Sequence, residues 1–138
     1  MSALPVLLPA ITPETAPFWR AAATGSLTLP RCNDCERLIW YPRGFCPYCG
    51  GAAVTWTTLT GRGHIYSSTV IRRAPHPGYA AAVPYVLALV DLEEGVRMLA
   101  NVVTDDVDAV AIGMAVTAVY DRLNGECAVV RFRPAEDG

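Results

Sequence analysis

The sequence of 138 residues contains no lysine, and arginine supplies all eleven of its basic side chains. Without a lysine amine the chain cannot form a Schiff base with a carbonyl substrate, and it has no lysine for a phosphate-binding loop or for general-base catalysis. Long hydrophobic runs are also missing, since no apolar segment approaches the ~20 residues of a membrane-spanning helix. The N-terminus lacks the basic start of a signal peptide. We therefore expect a cytoplasmic protein with no membrane contact.

Charged residues are unevenly distributed along the chain. Residues 1–73 carry seven arginines against three acids, whereas residues 74–138 carry four arginines against ten acids. Four cysteine thiolates around one divalent metal would carry a net charge of about −2, which reduces the basic excess of the first half. The whole chain has a net charge of −2 and a pI of about 5.6. This pattern argues against a nucleic-acid-binding protein, which needs a basic surface.

Motifs of known catalytic sites are absent from the sequence. It has no Gly-x-Ser-x-Gly elbow, no glycine-rich phosphate-binding loop and no His-x-x-x-His pair. His64 lies at the start of a predicted strand, where we expect a structural role. Cys127 lies among apolar residues of another predicted strand, where we expect a buried, inert thiol. We therefore predict a binding module that is not an enzyme by itself.

Two Cys-x-x-Cys pairs lie close together in the sequence. Cys32 and Cys35 form the first pair, Cys46 and Cys49 form the second, and ten residues separate the pairs. Two such turns can provide the four thiolate ligands of a tetrahedral metal site, most often zinc. Because protein would fill all four positions, we expect a structural zinc. Iron is the alternative metal, since the second pair matches a rubredoxin-type turn, while disulfides or a redox-active dithiol fit an intracellular hairpin less well.

Sequence patterns predict a mainly β protein that begins with a helix and a cysteine-rich ribbon. Thr12 is suited to cap the N-terminus of the helix, Pro13 to occupy its first turn, and Gly25 to end it in the left-handed conformation. The cysteine segment, residues 27–57, would contain a short strand at residues 38–41. Because so small a ribbon cannot bury a stable core, metal binding would supply most of its folding free energy.

Alternation of apolar and polar residues after Gly51 is typical of β-strands. Residues 83–92 are an almost continuous apolar run, which predicts a strand buried on both faces. Asn124 and Gly125 are a strong signal for a hairpin turn between the last two strands. Five strands joined by turns predict a closed OB-type barrel, since closure removes exposed strand edges. We expect an N-terminal arm and helix at residues 1–26, the ribbon at 27–57 and the barrel at 58–134.

A proline-rich loop carries two adjacent arginines and an aromatic side chain. Its members are Arg72, Arg73, His76 and Tyr79. Arginines can hold a phosphate through paired hydrogen bonds while a tyrosine ring stacks on a base. We therefore predict a contact with a phosphorylated nucleotide here, with an ordinary solvated loop as the alternative.

The motifs of this chain, taken in order, resemble those of a known family. They are Phe18-Trp19, Gly25-Ser26-Leu27, Arg31-Cys32-Asn33-Asp34-Cys35, Tyr41-Pro42-Arg43, Cys46-Pro47-Tyr48-Cys49-Gly50, Trp56, Gly61-Arg62-Gly63-His64-Ile65-Tyr66-Ser67, Pro84-Tyr85-Val86, Val90-Asp91-Leu92-Glu93-Glu94-Gly95 and Ile112-Gly113-Met114-Ala115-Val116. This order is similar to that of the acyl-CoA-associated OB-fold proteins with a rubredoxin-like zinc ribbon, known as the domain of unknown function 35 family. The resemblance covers about residues 14–133.

The resemblance implies an N-terminal helix, a zinc ribbon bound at the four cysteines and an OB-fold barrel. It also implies a non-catalytic subunit that stabilises a thiolase-fold enzyme acting on acyl-CoA within a hetero-oligomer. The chain is most similar to the branch that partners a sterol-carrier-type thiolase-like retro-aldolase in bacterial steroid (cholesterol) side-chain degradation. Some members are fused behind a hydratase domain, so the resemblance also allows this chain to be part of a larger hydratase subunit.

Site residues follow from the same interpretation. Coenzyme A or the acyl-CoA substrate would contact the proline-rich loop at Arg72, Arg73, His76 and Tyr79. The partner enzyme would contact apolar residues of the N-terminal arm and helix, namely Leu7, Leu8, Phe18 and Trp19.

Two other functions stay open from the sequence. A zinc ribbon followed by an OB barrel could bind single-stranded nucleic acid, which would require a basic groove with stacking aromatic rings. An iron-loaded ribbon would instead make the protein a rubredoxin-like electron carrier, recognisable by its red colour.

Overall fold

The computed structural model describes residues 9–123 and 127–135. Helix α1 (Ala16–Ala23) is followed by seven strands: β1 (Leu27–Cys32), β2 (Val54–Leu59), β3 (Arg62–Ile71), β4 (Tyr85–Leu92), β5 (Arg97–Val102), β6 (Ala115–Arg122) and β7 (Ala128–Pro134). Short 3₁₀ turns lie at Pro77–Tyr79 and Val107–Ala109. Leu7, Leu8, Asn124 and Gly125, which figure in the predictions above, lie outside the described residues. Among the described residues, no helix has the length and apolar character needed to cross a membrane.

Five strands close into a barrel in the order β3-β4-β5-β7-β6, which confirms the predicted five-stranded OB-like fold. Antiparallel ladders join β3 to β4, β4 to β5, β6 to β7 and β3 to β6. The barrel closes where β5 meets β7 in parallel at Val102 and Phe132. Burying each large aliphatic side chain contributes about 1.5–3 kcal/mol. The interior is filled by alternate residues of the strands, including Ile65, Val86, Ala88, Val90, Met98, Ala100, Val116, Val130 and Phe132.

Gly63 allows β3 to curve between its two neighbouring strands. It lies at the position where β3 pairs with both β4 and β6. A Cβ atom at this position would lie 2.5 Å from the Asp91 carbonyl oxygen, which is closer than real Cβ contacts. The register with β4 then shifts between Ile65 and Ser67, and a bulge of this kind bends the strand further. Both features help the sheet to close into a barrel.

Helix α1 begins at Ala16, later than the sequence predicted. Residues 13–15 form a turn instead, and the Ala16 N–H donates to the Thr12 carbonyl at 2.8 Å. A helix that started at Pro13 would place Pro17 in its interior, where the ring collides with the preceding turn and no N–H is available. In the observed helix Pro17 lies in the first turn, where proline is tolerated.

Helix α1 is terminated by the predicted glycine, which follows its C-cap. Gly25 has φ +84°, and its N–H donates to the Ala22 carbonyl at 3.0 Å. The Ser26 N–H donates to the Ala21 carbonyl at 2.9 Å. This pair of hydrogen bonds is a Schellman motif, which requires a left-handed residue that glycine adopts without steric cost.

Phe18 and Trp19 lie in the core rather than on the surface. They are 2% and 9% exposed, respectively. The Phe18 ring packs edge to face against Trp19 and Trp40, with ring centroids 4.9 and 5.7 Å apart. Because an aromatic ring buries 150–250 Å² of surface, the helix uses both residues to attach itself to the ribbon and barrel. Both side chains are thus largely covered within the chain, and their contact with a partner stays a prediction.

Strand β4 is less buried than its apolar sequence predicted. Its alternate residues Leu87 and Leu89 are only partly buried, while the residues between them fill the interior. The prediction of burial on both faces was wrong, because that pattern belongs to parallel sheets covered by helices. β4 is antiparallel to both of its neighbours in the barrel, and one of its faces points outward.

Candidate metal centre and surrounding surfaces

The metal-binding ribbon is built on a two-stranded sheet. β1 pairs with β2 in antiparallel register, from Leu27 opposite Leu59 to Cys32 opposite Val54. The strand predicted at residues 38–41 is reduced to a single bridge between Leu38 and Arg31. On β1 the residue before Arg31 is Pro30, which has no N–H to donate and so cannot extend the pairing with this segment. The chain is therefore free to turn towards the second cysteine pair.

The four predicted cysteines come together at one point. Their sulfur atoms all lie within 4.8 Å of one another. The Sγ atoms of Cys32 and Cys49 are 3.5 Å apart, and those of Cys35 and Cys46 are 3.6 Å apart. A tetrahedral zinc site with 2.3 Å bonds requires sulfur–sulfur separations of about 3.8 Å. The donor set therefore fits a tetrahedral metal, and four protein ligands close the site to substrate.

Each cysteine pair forms the same type of turn. In the first, the Glu36 N–H donates to the Cys32 carbonyl at 2.9 Å, and Glu36 adopts φ +67°. In the second, the Gly50 N–H donates to the Cys46 carbonyl at 2.8 Å, and Gly50 adopts φ +82°. Backbone N–H groups also approach the sulfurs, from Tyr48 to Cys46 at 3.4 Å in the second turn. Glycine suits the left-handed position of the second turn, whereas glutamate occupies it in the first at a conformational cost.

Gly51 brings the two turns into contact. Its carbonyl accepts a hydrogen bond from the Cys46 N–H at 2.8 Å. A Cβ atom on Gly51 would lie 2.5 Å from an Asp34 carboxylate oxygen and 3.4 Å from the Cys32 sulfur. With glycine at this position the second turn packs closely on the first, whereas a larger residue would require the exposed Asp34 side chain to move.

The four thiols influence one another's ionisation. Burial raises the pKa of Cys46, but N–H donors from Cys49 and Tyr48 outweigh it and lower that pKa to about 7. The Gly51 N–H lowers the pKa of Cys49, but the neighbouring thiols, led by Cys32, and burial together raise it to about 12. The Cys46 thiolate thus forms readily, whereas the raised pKa of Cys49 keeps that thiol protonated. A divalent cation stabilises thiolate ligands, so the cluster is suited to a metal.

Three of the four residues predicted to contact a phosphorylated ligand at the proline-rich loop each have a different partner. Arg72 forms an exposed ion pair with Asp108 at 3.3 Å. His76 Nδ1 accepts a hydrogen bond from the Gly78 N–H at 2.8 Å, which begins the 3₁₀ turn. The Tyr79 ring contacts Tyr85, with centroids 5.3 Å apart. Arg73, the remaining predicted residue, is exposed.

A largely buried ion pair on the barrel was not predicted from the sequence. Arg131 on β7 is 1% exposed, and its Nε atom lies 2.8 Å from an Asp121 carboxylate oxygen. Its Nη1 also donates to the Asn101 side-chain oxygen at 3.4 Å. Burial lowers the pKa of Arg131, and the nearby Asp121 and Tyr79 oppose that shift. Strand alternation places Arg131 on the outer face, so no sequence signal indicated its burial.

A groove of about 640 Å³ separates the ribbon from the β4–β5 turn and was also not predicted. Arginines and acids are mixed along it, because Arg31, Glu36 and Arg37 line the ribbon side and Asp91 and Arg97 the barrel side. Asp91 and Arg97 are themselves paired at 2.6 Å. The lining therefore gives the groove no strong preference for an anion or a cation.

Cys127, the cysteine outside this centre, is buried as predicted, with 1% exposure within the main hydrophobic core. It lies just before β7 rather than within it, and its lack of reactivity stays a prediction.

Family models match two consecutive segments of the chain. Residues 19–55 match the rubredoxin-like zinc ribbon domain of ChsH2, and residues 56–121 match the C-terminal OB-fold domain of ChsH2. The two matched segments meet within β2.

Curated relatives fall into two groups. A probable enoyl-CoA hydratase alpha subunit of Thermomonospora curvata is 37% identical over 92% of this chain and 39% of that protein. The 3-oxo-4,17-pregnadiene-20-carboxyl-CoA hydratase alpha subunit of Mycobacterium tuberculosis is 32% identical over 83% of this chain and 36% of that protein. A DUF35 domain-containing scaffold protein of Methanocaldococcus jannaschii is 32% identical over 78% of this chain and 80% of that protein. The chain thus spans about two fifths of the hydratase subunits and most of the scaffold protein.

A solved structure described as the Ltp2-ChsH2(DUF35) aldolase contains a similar chain. The TM-score is 0.78 with 35% sequence identity, and the match covers 92% of this chain and 98% of that chain.

Proposed function

The chain belongs to the DUF35 family of proteins with a ChsH2-type zinc ribbon and OB-fold domain, and we propose that it is a non-catalytic subunit of an acyl-CoA aldolase. In this proposal it binds and stabilises a thiolase-fold enzyme, and that partner carries out the chemistry. The observation that carries the proposal is the similarity to nearly the full length of a chain in the Ltp2-ChsH2(DUF35) aldolase. The scaffold name of the archaeal relative supports the same role.

The composition of the chain agrees with a division of labour between subunits. Because it has no lysine, no step of an aldol cleavage that uses a lysine Schiff base can take place on it. The partner would supply the groups that react with the acyl-CoA.

We propose that the metal of the ribbon is a structural zinc. Four cysteine sulfurs at tetrahedral spacing match zinc, and the family model that matches this segment is a zinc ribbon. The zinc would hold the two cysteine turns together and leave no open position for a substrate. Metal analysis of the purified protein should find one zinc per chain and a colourless solution. A red protein with one iron per chain would instead favour an electron carrier.

We propose that the partner's substrate is a steroid side-chain acyl-CoA. The name of the mycobacterial relative, a hydratase subunit that acts on a pregnadiene carboxyl-CoA, supports this class of substrate. The hydratase part of such relatives would then be a second partner, which delivers a hydrated acyl-CoA for cleavage. Contact of the coenzyme A moiety with Arg72, Arg73, His76 and Tyr79 belongs to this proposal, since two arginines and a tyrosine can hold a phosphorylated nucleotide.

Co-purification tests the assembly directly. An Ltp2-type aldolase subunit is co-expressed with the chain, and the mixture is analysed by size-exclusion chromatography with light scattering. We expect a hetero-oligomer at micromolar concentration and a higher melting temperature for the partner in the complex, because binding stabilises the folded state. Aldol cleavage by the partner should rise when the chain is added. Separate elution of the two proteins, with no change in the partner's stability, would contradict the proposal.

A further inference from the structure

The two cysteine turns of the ribbon share their backbone hydrogen bonds but differ in the residues that flank them. In each turn the N–H of the first cysteine donates to the carbonyl five residues later, at 2.9 Å in the first turn and 2.8 Å in the second. The left-handed residue after the second cysteine is Glu36 in the first turn and Gly50 in the second. The residue before the first cysteine is Arg31 in the first turn and Phe45 in the second. The turn that lacks glycine is thus the one that has an arginine before it.

The Arg31 side chain is bonded to the residue that stands in the place of glycine. Its Nη1 atom donates to the Glu36 carbonyl at 2.9 Å. The Glu36 N–H donates in turn to the Cys32 carbonyl at 2.9 Å. Because a residue has only two soft backbone dihedral angles, hydrogen bonds on both of its backbone groups hold Glu36 in the left-handed conformation. Phe45, at the equivalent position of the second turn, has no side-chain donor, and Gly50 adopts this conformation without one.

The Arg31 guanidinium has no competing acidic partner in the part of the chain that the structure describes. None of the ion pairs between described residues includes it. A carboxylate would bind a guanidinium through two parallel hydrogen bonds and could draw it away from a carbonyl. The acceptor that the structure gives Arg31 is instead the Glu36 carbonyl.

The conformation of Glu36 affects the metal ligand next to it. Cys35 directly precedes Glu36, and its sulfur lies 3.6 Å from that of Cys46 in the second turn. The Cys35 N–H also approaches the Cys32 sulfur at 3.5 Å. If Glu36 left the left-handed region, the hydrogen bonds that close the first turn would break and Cys35 would shift relative to Cys32. Groups one step outside the ligands commonly orient them and tune metal affinity in this way.

We propose that Arg31 is a positioning residue for the metal site, because its hydrogen bond to the Glu36 carbonyl holds the first cysteine turn in the shape that glycine gives the second. This inference rests on the proposed zinc and names a residue outside the ligand set that determines how tightly the zinc is bound. The left-handed conformation is unfavourable for glutamate. Without the hydrogen bond, other conformations of Glu36 become populated, and Cys35 is no longer held in position for the metal.

The zinc affinity of Arg31 variants tests this role. Zn²⁺ is titrated into the full chain in competition with a chelator of known affinity. Arg31→Met should weaken zinc binding by about tenfold, the low end of the effects found for groups that orient metal ligands. Arg31→Lys should recover most of that loss, because a lysine amine can also donate one hydrogen bond to a carbonyl. An unchanged Kd in Arg31→Met, or an equal loss in Arg31→Lys, would overturn the inference.

Arg43→Met is the matched control. Arg43 Nε donates to the Tyr41 carbonyl at 3.0 Å, so this variant also removes a hydrogen bond from an arginine to a backbone carbonyl of the ribbon. That bond lies outside both cysteine turns, and the zinc Kd should stay within about twofold of that of the unchanged protein. A loss as large as that of Arg31→Met would reflect general destabilisation of the ribbon and would contradict a specific role for Arg31.

Cobalt spectra provide a measurement that ribbon stability alone does not change. Co²⁺ bound by four thiolates absorbs visible light, and its bands report the arrangement of the ligands. At saturating Co²⁺ we expect altered bands in Arg31→Met. The double variant Arg31→Met/Glu36→Gly should return to the bands of the unchanged protein, because glycine adopts the left-handed conformation without the hydrogen bond. Unaltered bands in the single variant, or altered bands that persist in the double variant, would count against the proposal.

The outcomes separate this inference from the proposed function. If the unchanged chain binds no zinc, the proposed structural zinc fails, and the role of Arg31 fails with it. If the unchanged chain binds zinc tightly and Arg31→Met has the same Kd and the same cobalt spectrum, only the role of Arg31 is wrong.

Discussion

Replacing Cys32 by serine should release the metal and unfold the ribbon while the barrel remains folded. Cys32 is fully buried and its sulfur lies 3.5 Å from that of Cys49. A structural zinc contributes an apparent ~10–16 kcal/mol to the folding of a small ribbon. The separate core of the ribbon contains only three buried side chains, of Cys32, Ile39 and Cys46. Complete burial of an isoleucine adds about 1.5–3 kcal/mol, which cannot replace the contribution of the metal.

Hydrogen exchange of individual backbone amides can separate the two regions. Within the ribbon, the Ile39 N–H donates to Pro30 at 2.9 Å and the Cys46 N–H donates to Gly51 at 2.8 Å. In the barrel, the Leu92 N–H donates to Val96 at 2.8 Å. In the Cys32→Ser variant we expect the two ribbon amides to exchange rapidly and the Leu92 amide to stay protected. Metal analysis of the same sample should find less than one zinc per chain.

Cys127→Ser is the matched control for this prediction. Cys127 is equally buried but lies in the main core, away from the four metal ligands. This variant should be somewhat less stable, because a hydroxyl replaces a thiol in an apolar site, but it should keep its zinc. The reasoning is refuted if Cys32→Ser retains full zinc and protected ribbon amides, or if the barrel unfolds together with the ribbon.

Two further substitutions test the backbone and the buried charges. Glu36 adopts φ +67°, and this left-handed conformation costs a residue with a side chain about 1–2 kcal/mol. Glu36→Gly should therefore raise the free energy of unfolding by about 1 kcal/mol in urea titrations. Glu36→Ala retains that cost, so an equal gain with alanine would contradict the explanation. Arg131→Met should lower the free energy of unfolding by about 3 kcal/mol, because it leaves Asp121 without the partner 2.8 Å away. Adding Asp121→Leu should recover most of that loss, and a double variant as unstable as the single one would show that the ion pair is not the cause.

Much of the fold could be predicted because its signals are local. Gly25 ends α1 as expected, since the left-handed conformation it adopts is a property of a few neighbouring residues. The alternating strands and their turns likewise predicted a closed barrel of five strands, and that prediction is confirmed. The start of α1 was predicted too early, because Thr12 and Pro13 form a favourable start locally. A helix that begins there would have Pro17 in its interior, and this conflict becomes visible only when alternative start positions are compared.

Burial was predicted less well than secondary structure, because it depends on which elements pack together. Phe18 and Trp19 have the composition of an interface, but they are buried where α1 packs against β1, β6 and β7. The exposed aromatic residues are instead found on the ribbon, at Phe45 and Tyr48. No residue pattern distinguishes an aromatic side chain that another element covers from one that stays exposed.

The metal centre was determined by the sequence alone, whereas the surfaces around it were decided by the tertiary structure. Two short turns place Cys32, Cys35, Cys46 and Cys49, and the geometry of each turn depends on a few adjacent residues, so spacing was sufficient to identify the ligands. The burial of Arg131, which contacts Asn101 on β5 as well as Asp121 on β6, and the exposure of Phe45 and Tyr48 depend on which elements pack against one another. Such contacts depend on the relative positions of whole elements, which local residue patterns do not encode.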